Sequence, residues 1–219
     1  MSLPALTPDD VARLYAACDT NTWEGERDAL LVTLAFNTGL RPAEMARLHV
    51  RDISADGRWL MLHRGLRHHA IVPLNQRAAR ALHAWIQRNN LKANDPLFIR
   101  APNTRKRLHA REIANLMAQI SARAGVPFDA ENARATLARV LFNLSEDAAV
   151  IRSVLPPEEQ EAATLPLEHL PPFSLVLSRS EMLFASLGML PLPMAFMPPE
   201  DDPILERSRA LLERAGEVL

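Results

Sequence analysis

The chain has 219 residues, of which 48% are hydrophobic and 23% are charged. This composition excludes general disorder, and the length allows one large or two small domains with a core that needs no disulfide or metal. Its apolar stretches are broken before they reach spanning length, the first residues lack the pattern of a secretory signal and Cys18 is the only cysteine. We therefore expect a cytoplasmic protein without membrane insertion.

The net charge of −1 averages two unlike parts of the chain. Residues 1–126 hold 18 of the 25 basic side chains and 11 of the 26 acidic ones, so residues 127–219 are acidic. All the basic residues except Lys92 and Lys106 are arginines, whose guanidinium fork suits phosphate or carboxylate binding. Codon bias in a GC-rich genome would explain an arginine-rich composition equally well.

Three helices are predicted for the first fifty residues. The first begins at Thr7, whose hydroxyl can cap it, and the second covers 26–36 and ends at Gly39, a residue free to adopt the left-handed conformation. The third covers 42–48 and places Arg41 at its N-terminus, where a positive charge opposes the helix dipole. Because that is an unusual place for a structural arginine, Arg41 is a candidate functional residue.

A β-hairpin and three more helices are predicted up to residue 142. Apolar runs at 59–63 and 70–74 have the length of strands, and the basic segment between them forms the tip. Asn75 is a capping residue for the helix that follows. Later helices are expected at 109–124 and 129–142, and the first of these follows a basic loop of Arg105, Lys106 and Arg107.

The composition changes after Leu155. Ten of the 17 prolines lie between Pro156 and Pro203, in a stretch that is also rich in methionine. Proline prevents a regular helix there, so the apolar side chains need another surface. The stretch either wraps its own domain or binds a partner protein. The candidate partner-binding residues are Leu190, Met194, Phe196 and Met197. The amphipathic helix that starts at Pro203 docks either on its own chain or on a second copy.

The segment 37–48, which reads NTGLRPAEMARL, resembles the first signature box of tyrosine recombinases, also called phage integrases. Residues 6–11 resemble the start of their catalytic domain, and 71–74 resemble the end of its hairpin. The resemblance covers residues 6–157 and implies a mainly α fold with a small antiparallel β-sheet (α+β). We therefore expect an integrase-like region at 1–157 and a divergent segment at 158–219 that packs on the same domain.

These recombinases cleave DNA by attack of a tyrosine on a phosphodiester. Two arginines hold the phosphate, with a histidine between them in sequence, and a hairpin lysine protonates the leaving oxygen. Here Glu131 replaces that histidine, no lysine lies in the hairpin, and the turn before the nucleophile ends in proline. Because Glu131 and Arg134 are three residues apart on one helix, we expect them to form an ion pair. The degenerate active-site positions are thus Arg41, Arg64 (or Arg67), Glu131, Arg134 and Pro157.

The nucleophile itself has no counterpart in the sequence. Tyr15 is the only tyrosine, and it lies on the predicted buried face of the first helix. Serines at 174–186 would need an activating base, which their apolar surroundings do not supply. The histidines show no metal-ligand spacing. The resemblance together with these gaps predicts a pseudo-enzyme without cofactor or metal.

Two functions remain open at this stage, with an active integrase as a less favoured third. The first is a regulatory, DNA-associated protein that acts with a protein partner and grips phosphates without cleavage. The second is a protein-interaction module that binds no nucleic acid. Salt separates them, because phosphate contacts weaken steeply with ionic strength and apolar contacts do not. The candidate phosphate-binding residues are Arg41, Arg64, Arg67, His68, Arg105, Lys106, Arg107 and Arg134.

Overall fold

A computed structural model describes residues 5–63, 69–144 and 203–219. Within these ranges the fold is mainly helical with one two-stranded antiparallel sheet, which confirms the predicted fold class. The strands are Trp59–His63 (β1) and His69–Pro73 (β2). The helices are Pro8–Ala16 (α1), Trp23–Thr38 (α2), Pro42–Met45 (α3), Gln76–Arg88 (α4), Ala110–Ala124 (α5), Ala130–Leu144 (α6) and Pro203–Val218 (α7).

Helix α2 runs through the centre of the core. Every residue from Leu30 to Thr38 is buried, and the helix packs against α1, α4, α5 and α6. It begins three residues earlier than predicted, because the Thr22 side chain accepts a hydrogen bond from the amide of Gly25 at 3.1 Å. It ends as predicted at Gly39, which has φ 62° and donates its amide to the Ala35 carbonyl at 3.0 Å.

An ion cluster joins the first helices to α5. The buried carboxylate of Asp28 accepts hydrogen bonds from Arg27 at 2.8 Å and from Arg123 at 2.6 Å. Arg123 also donates to the Ala17 carbonyl at 3.2 Å, so it connects α5 to the end of α1. Beside this cluster, burial raises the pKa of the Cys18 thiol to about 11. The lone cysteine is therefore a core residue with an unreactive, protonated thiol.

The hairpin is held to the body by its apolar face. Leu60, Leu62 and Val72 are buried in the main core. The register pairs Trp59 with Pro73 and His63 with His69, so β2 begins and ends one residue earlier than predicted. The tip at 64–68 lies outside the described residues.

Helix α7 packs on its own chain. Its buried side chains form a second apolar cluster with one face of α6, made of Leu137, Ala138, Val140, Leu141, Leu211, Leu212 and Ala215. Glu213 of α7 accepts a hydrogen bond from the amide of Gln76 at 2.8 Å. Because Gln76 is the first residue of α4, this carboxylate serves one of the free amides of that helix terminus.

We expect Gly216→Ala to weaken the packing of α7 and to lower the free energy of unfolding. A Cβ at this position would lie 2.4 Å from Nδ2 of Asn75, so either the helix or the capping residue of α4 must move. In an unconstrained helix the same change would stabilise by about 1 kcal/mol, whereas overpacking costs about 1 to 3 kcal/mol. Urea unfolding of the variant and the parent chain measures whether the free energy of unfolding falls, as we expect, or rises. A gain in the free energy of unfolding would show that this contact is loose.

The remaining predictions for the C-terminal third concern 145–202, which lies outside the described residues. These include Pro157 and the proposed partner-binding residues Leu190, Met194, Phe196 and Met197, and the domain division at 157 stays a prediction with them. In the ranges that are described, no helix is both long and apolar enough to cross a membrane.

Candidate functional site

The signature box, residues 37–48, covers the end of α2, the sharp turn after it and α3. Gly39 reverses the chain in the left-handed conformation, and Arg41 follows in an extended one, with φ −75° and ψ 155°. The amide of Arg41 donates to Oε2 of Glu44 at 2.9 Å, which fixes the first turn of α3. The Arg41 side chain itself is exposed. The turn thus presents a guanidinium at the surface of a rigid, buried helix end.

Arg134 comes to the same turn from α6. Its side chain is buried, with 4% of the residue exposed, and Nε donates to the carbonyl oxygen of Gly39 at 3.1 Å. That carbonyl lies two residues before Arg41, so the fold gathers both predicted arginines at the C-terminal end of α2.

The predicted ion pair between Glu131 and Arg134 is wrong. Glu131 is exposed on the first turn of α6, and the described residues show no ion pair between the two side chains. The helix is instead capped by Asp129, whose Oδ1 accepts from the amide of Asn132 at 2.8 Å. Arg134 points inward toward α2 while Glu131 lies at the solvent edge, so three-residue spacing does not bring them together. The glutamate thus does not neutralise the arginine.

One of the three cations in the predicted basic loop, Arg105, is held by the neighbouring segment 89–95. Arg105 pairs with Asp95 at 3.0 Å and donates to the carbonyls of Asn89 and Asn90 at 3.1 and 2.8 Å. Lys106 is exposed. The three cations are therefore not equivalent as candidate phosphate ligands, because Arg105 would have to leave these partners to reach one.

Arg107 contacts His49 next to the short 3₁₀ turn Val50–Asp52. Its Nη2 lies 2.6 Å from Nε2 of His49, and Nδ1 of the same ring lies 3.7 Å from Oδ2 of Asp52. Because a guanidinium only donates, Nε2 accepts, and a neutral ring then carries its proton on Nδ1, toward Asp52. Arg107 thus ties the predicted basic loop to the segment that follows α3.

The side chain of Tyr15 packs between Thr33 and Arg77, which indicates a structural role. Its hydroxyl lies 3.2 Å from Oγ1 of Thr33 on α2, and the guanidinium of Arg77 lies 3.9 Å from the ring centroid. Burial raises the pKa of this phenol, so it stays protonated at neutral pH. Neither arrangement activates the oxygen as a nucleophile, since activation requires loss of the proton to a base.

The structure adds one residue that the sequence did not single out. Asn37 is 3% exposed and bonds to the backbone on both sides of Leu74: Nδ2 donates to the Pro73 carbonyl at 3.1 Å, and Oδ1 accepts from the Asn75 amide at 3.0 Å. A polar residue directly after the apolar residues Leu34, Ala35 and Phe36 was the available signal. Its partners lie 36 and 38 positions away, which no local pattern reveals.

The hairpin tip residues Arg64, Arg67 and His68 lie outside the described residues, so their contacts stay predictions. In the described ranges, no three His, Cys, Asp or Glu side chains gather in a group that could hold a metal ion.

Residues 4–156 match the model of the phage integrase family, and the chain belongs to that family. Tyrosine recombinase XerC of Mycobacterium bovis is 38% identical over 91 residues, which are 39% of this chain and 30% of that protein. Tyrosine recombinase XerC of Corynebacterium glutamicum is 24% identical over 140 residues, 64% of this chain and 46% of that protein. The matched stretches thus span less than half of each relative.

Solved structures show the same fold. The crystal structure of XerA recombinase matches with a TM-score of 0.64 at 19% identity, over 87% of this chain and 66% of that chain. A lambda integrase dimer bound to a COC' core site matches with a TM-score of 0.55 at 16% identity, over 78% of this chain and 63% of that chain. Both confirm the likeness to recombinase catalytic domains.

Proposed function

We propose that this chain is a recombinase-like regulatory protein that holds DNA through its phosphates and does not cleave the strand. The observation that carries the proposal is the convergence of Arg41 and Arg134 on one turn at the end of α2. A phosphate suits this turn, because the exposed guanidinium of Arg41 can donate to it and the buried guanidinium of Arg134 adds positive charge at the same turn. Lambda integrase, which shares the fold, is seen bound to a core site.

The absence of cleavage is argued from three positions. Tyr15, the only tyrosine, is held protonated between α1 and α2. The hairpin carries no lysine that could protonate a leaving oxygen, and an arginine there keeps its proton. Glu131 stands at the position of the family's histidine and is a carboxylate. We propose that regulation is exerted with a protein partner bound by the apolar residues of 165–199.

Binding to a labelled duplex of mixed sequence, measured between 50 and 200 mM salt, tests the DNA arm of this proposal. We expect log affinity to fall linearly with log salt, with a slope of about −0.9 per phosphate contact. Arg41→Ala should make that slope shallower by about one unit, because one contact is lost. Arg88→Ala is the matched control, since this surface arginine pairs with Glu26 in the first turn of α2, at the opposite end of that helix from Arg41.

The alternative is a protein-interaction module that binds no nucleic acid. The acidic balance of residues 127–219 favours it, because those residues repel a phosphate backbone. Under that alternative the duplex does not bind at 50 mM salt, and a partner recovered from native lysate survives nuclease treatment and high salt. That pair of results would replace the proposed function.

A further inference from the structure

A groove runs between α4 and the chain that precedes β1. Its volume is about 490 Å³, which lies within the range of small-molecule sites, about 300 to 1,000 Å³. One wall is the face of α4 that carries Ala79, His83 and Ile86, and the other wall is formed by residues 50–57. The described residues that line it include none of the signature box 37–48, so the groove is separate from the arginine turn.

The floor of the groove is apolar. Val50 and Ile53 from one wall and Ile86 from the other are half-buried, and they pack on the main core while part of their surface stays open to the groove. An apolar group that lies over these three aliphatic side chains removes their surface, and its own, from water. The groove therefore favours a ligand with an apolar body.

The wall opposite α4 is rigid. Oγ of Ser54 accepts from the Trp59 amide at 3.0 Å, and the Gly57 amide donates to the Ser54 carbonyl at 2.9 Å, which closes a tight turn. Gly57 has φ 70°, a left-handed conformation that glycine adopts without strain. Because this turn is closed by its own hydrogen bonds, the groove is formed before any ligand binds.

The polar groups that α4 contributes to the rim are hydrogen-bond donors. Arg80 and His83 are exposed and three residues apart, which places them side by side on one helix face. Within the part of the chain that the structure describes, the Arg80 guanidinium has no carboxylate partner. Nε2 of His83 lies 3.2 Å from Nε2 of Gln87, and because an amide nitrogen only donates, a neutral ring carries its proton on Nδ1. The rim thus offers a guanidinium and an imidazole N–H to an anion.

The carboxylate on the opposite wall is neutralised where it stands. Oδ1 of Asp56 accepts from Oγ of Ser54 at 2.5 Å and from the Arg58 amide at 3.1 Å, while Oδ2 lies 3.7 Å from Nε of Arg58. The charge of Asp56 is therefore offset on its own wall, whereas the charge of Arg80 is not. The groove combines an apolar floor with a positive rim.

We propose that this groove is a binding site for a small carboxylate with an apolar body. The apolar body lies over Val50, Ile53 and Ile86, and the carboxylate bonds to Arg80. A groove of this volume takes a small molecule, whereas a stable protein interface covers about 800 Å² on each partner. The site uses none of the residues of the arginine turn, so the inference goes beyond the proposed function and does not depend on it.

Titration with octanoate, octan-1-ol and octylamine tests the site, because the three probes share one apolar chain and differ in charge. We expect octanoate to bind about tenfold more tightly than the alcohol and the amine to bind most weakly. Amide chemical shifts of the intact chain should change at 50–57 and 79–86. Equal affinity for octanoate and the alcohol, or tighter binding of the amine, overturns the anion site. Shifts at neither segment with any probe overturn the groove as a binding site.

Two arginine variants on the same helix separate the contact with Arg80 from general attraction to a basic protein. Arg80→Gln removes the charge at the groove and should weaken octanoate about tenfold while leaving the affinity for the alcohol unchanged. Arg88→Gln is the matched control, because Arg88 pairs with Glu26 outside the groove, and it should change neither affinity. Equal losses from the two variants, or no loss from Arg80→Gln, overturn the assignment.

Ala79→Leu tests the apolar part of the site, because it places a larger side chain between the two walls. Binding of octanoate and of the alcohol should both be lost. Retention of either probe in this variant would show that the chain lies elsewhere and would overturn the site. Should Ala79→Leu not fold, the comparison of Arg80→Gln with Arg88→Gln decides by itself.

Discussion

Incubation with nicked suicide duplexes is expected to give no covalent protein–DNA adduct. The reaction needs a phenol that loses its proton as it attacks phosphorus, whereas the hydroxyl of Tyr15 lies against α2, 3.2 Å from Oγ1 of Thr33, where burial raises its pKa. It also needs an acid for the leaving oxygen, and arginine does not release a proton near neutral pH. We therefore expect the adduct to be absent rather than reduced in amount.

A pool of nicked duplexes with randomised flanks keeps sequence preference from limiting this experiment. Denaturing gels then detect any adduct, and a shift assay on the same pool shows that the DNA was bound. A band that survives denaturation would contradict the prediction. Tyr15→Phe separates the two sources of such a band, because an adduct retained in that variant would point to a serine nucleophile.

Alanine at Arg134 and alanine at Arg41 should differ in their effect on the free energy of unfolding. Arg134→Ala is expected to lower the free energy of unfolding by about 2 to 3 kcal/mol, because it removes a buried, charged hydrogen bond and leaves the Gly39 carbonyl without this donor. Arg41→Ala removes an exposed side chain and should change stability by less than about 0.5 kcal/mol. The second variant loses DNA affinity with its fold intact.

Urea unfolding measures the stability of both variants, and duplex binding measures their affinity for DNA. Arg134→Lys serves as a further control, because a lysine keeps the charge without the guanidinium fork. A stable Arg134→Ala variant would mean that the contact with Gly39 contributes little. An equally destabilised Arg41→Ala would show that the exposed arginine is a structural residue.

Local capping and periodicity were enough to predict most of the helices. Thr7 caps α1 with a hydrogen bond from the Asp10 amide at 3.2 Å, and Asn75 caps α4 with one from Ala78 at 2.9 Å. Both interactions join residues three apart, so a short stretch of sequence is enough to predict them. The third helix is the exception: it ends at Met45, because a proline start and a carboxylate do not determine where a short helix stops.

Contacts between distant segments could not be predicted in the same way. The spacing of Glu131 and Arg134 showed that they are neighbours on a helix but not that one of them faces the core. The same limit applies to Arg105, whose pairing with Asp95 depends on how two loops meet. Asn37 is the clearest instance, since nothing near it in sequence indicates that its amide holds the hairpin. Such side chains acquire their roles only after the helices have packed.

Helix α6 contacts both the first described residues, 5 and 6, and the last described helix, α7. The amide of Leu6 donates to Oγ1 of Thr136 at 2.8 Å, and Arg139 donates to the carbonyl of Ala5 at 3.3 Å, while α7 covers a separate apolar face of the same helix. During synthesis, the apolar cluster between α6 and α7 therefore cannot form until residues 203–219 have been made. Until then, Val140 and Leu141 lack the apolar cover that α7 gives them. A chain truncated before α7 would therefore leave this apolar face of α6 without the partner side chains Leu211, Leu212 and Ala215.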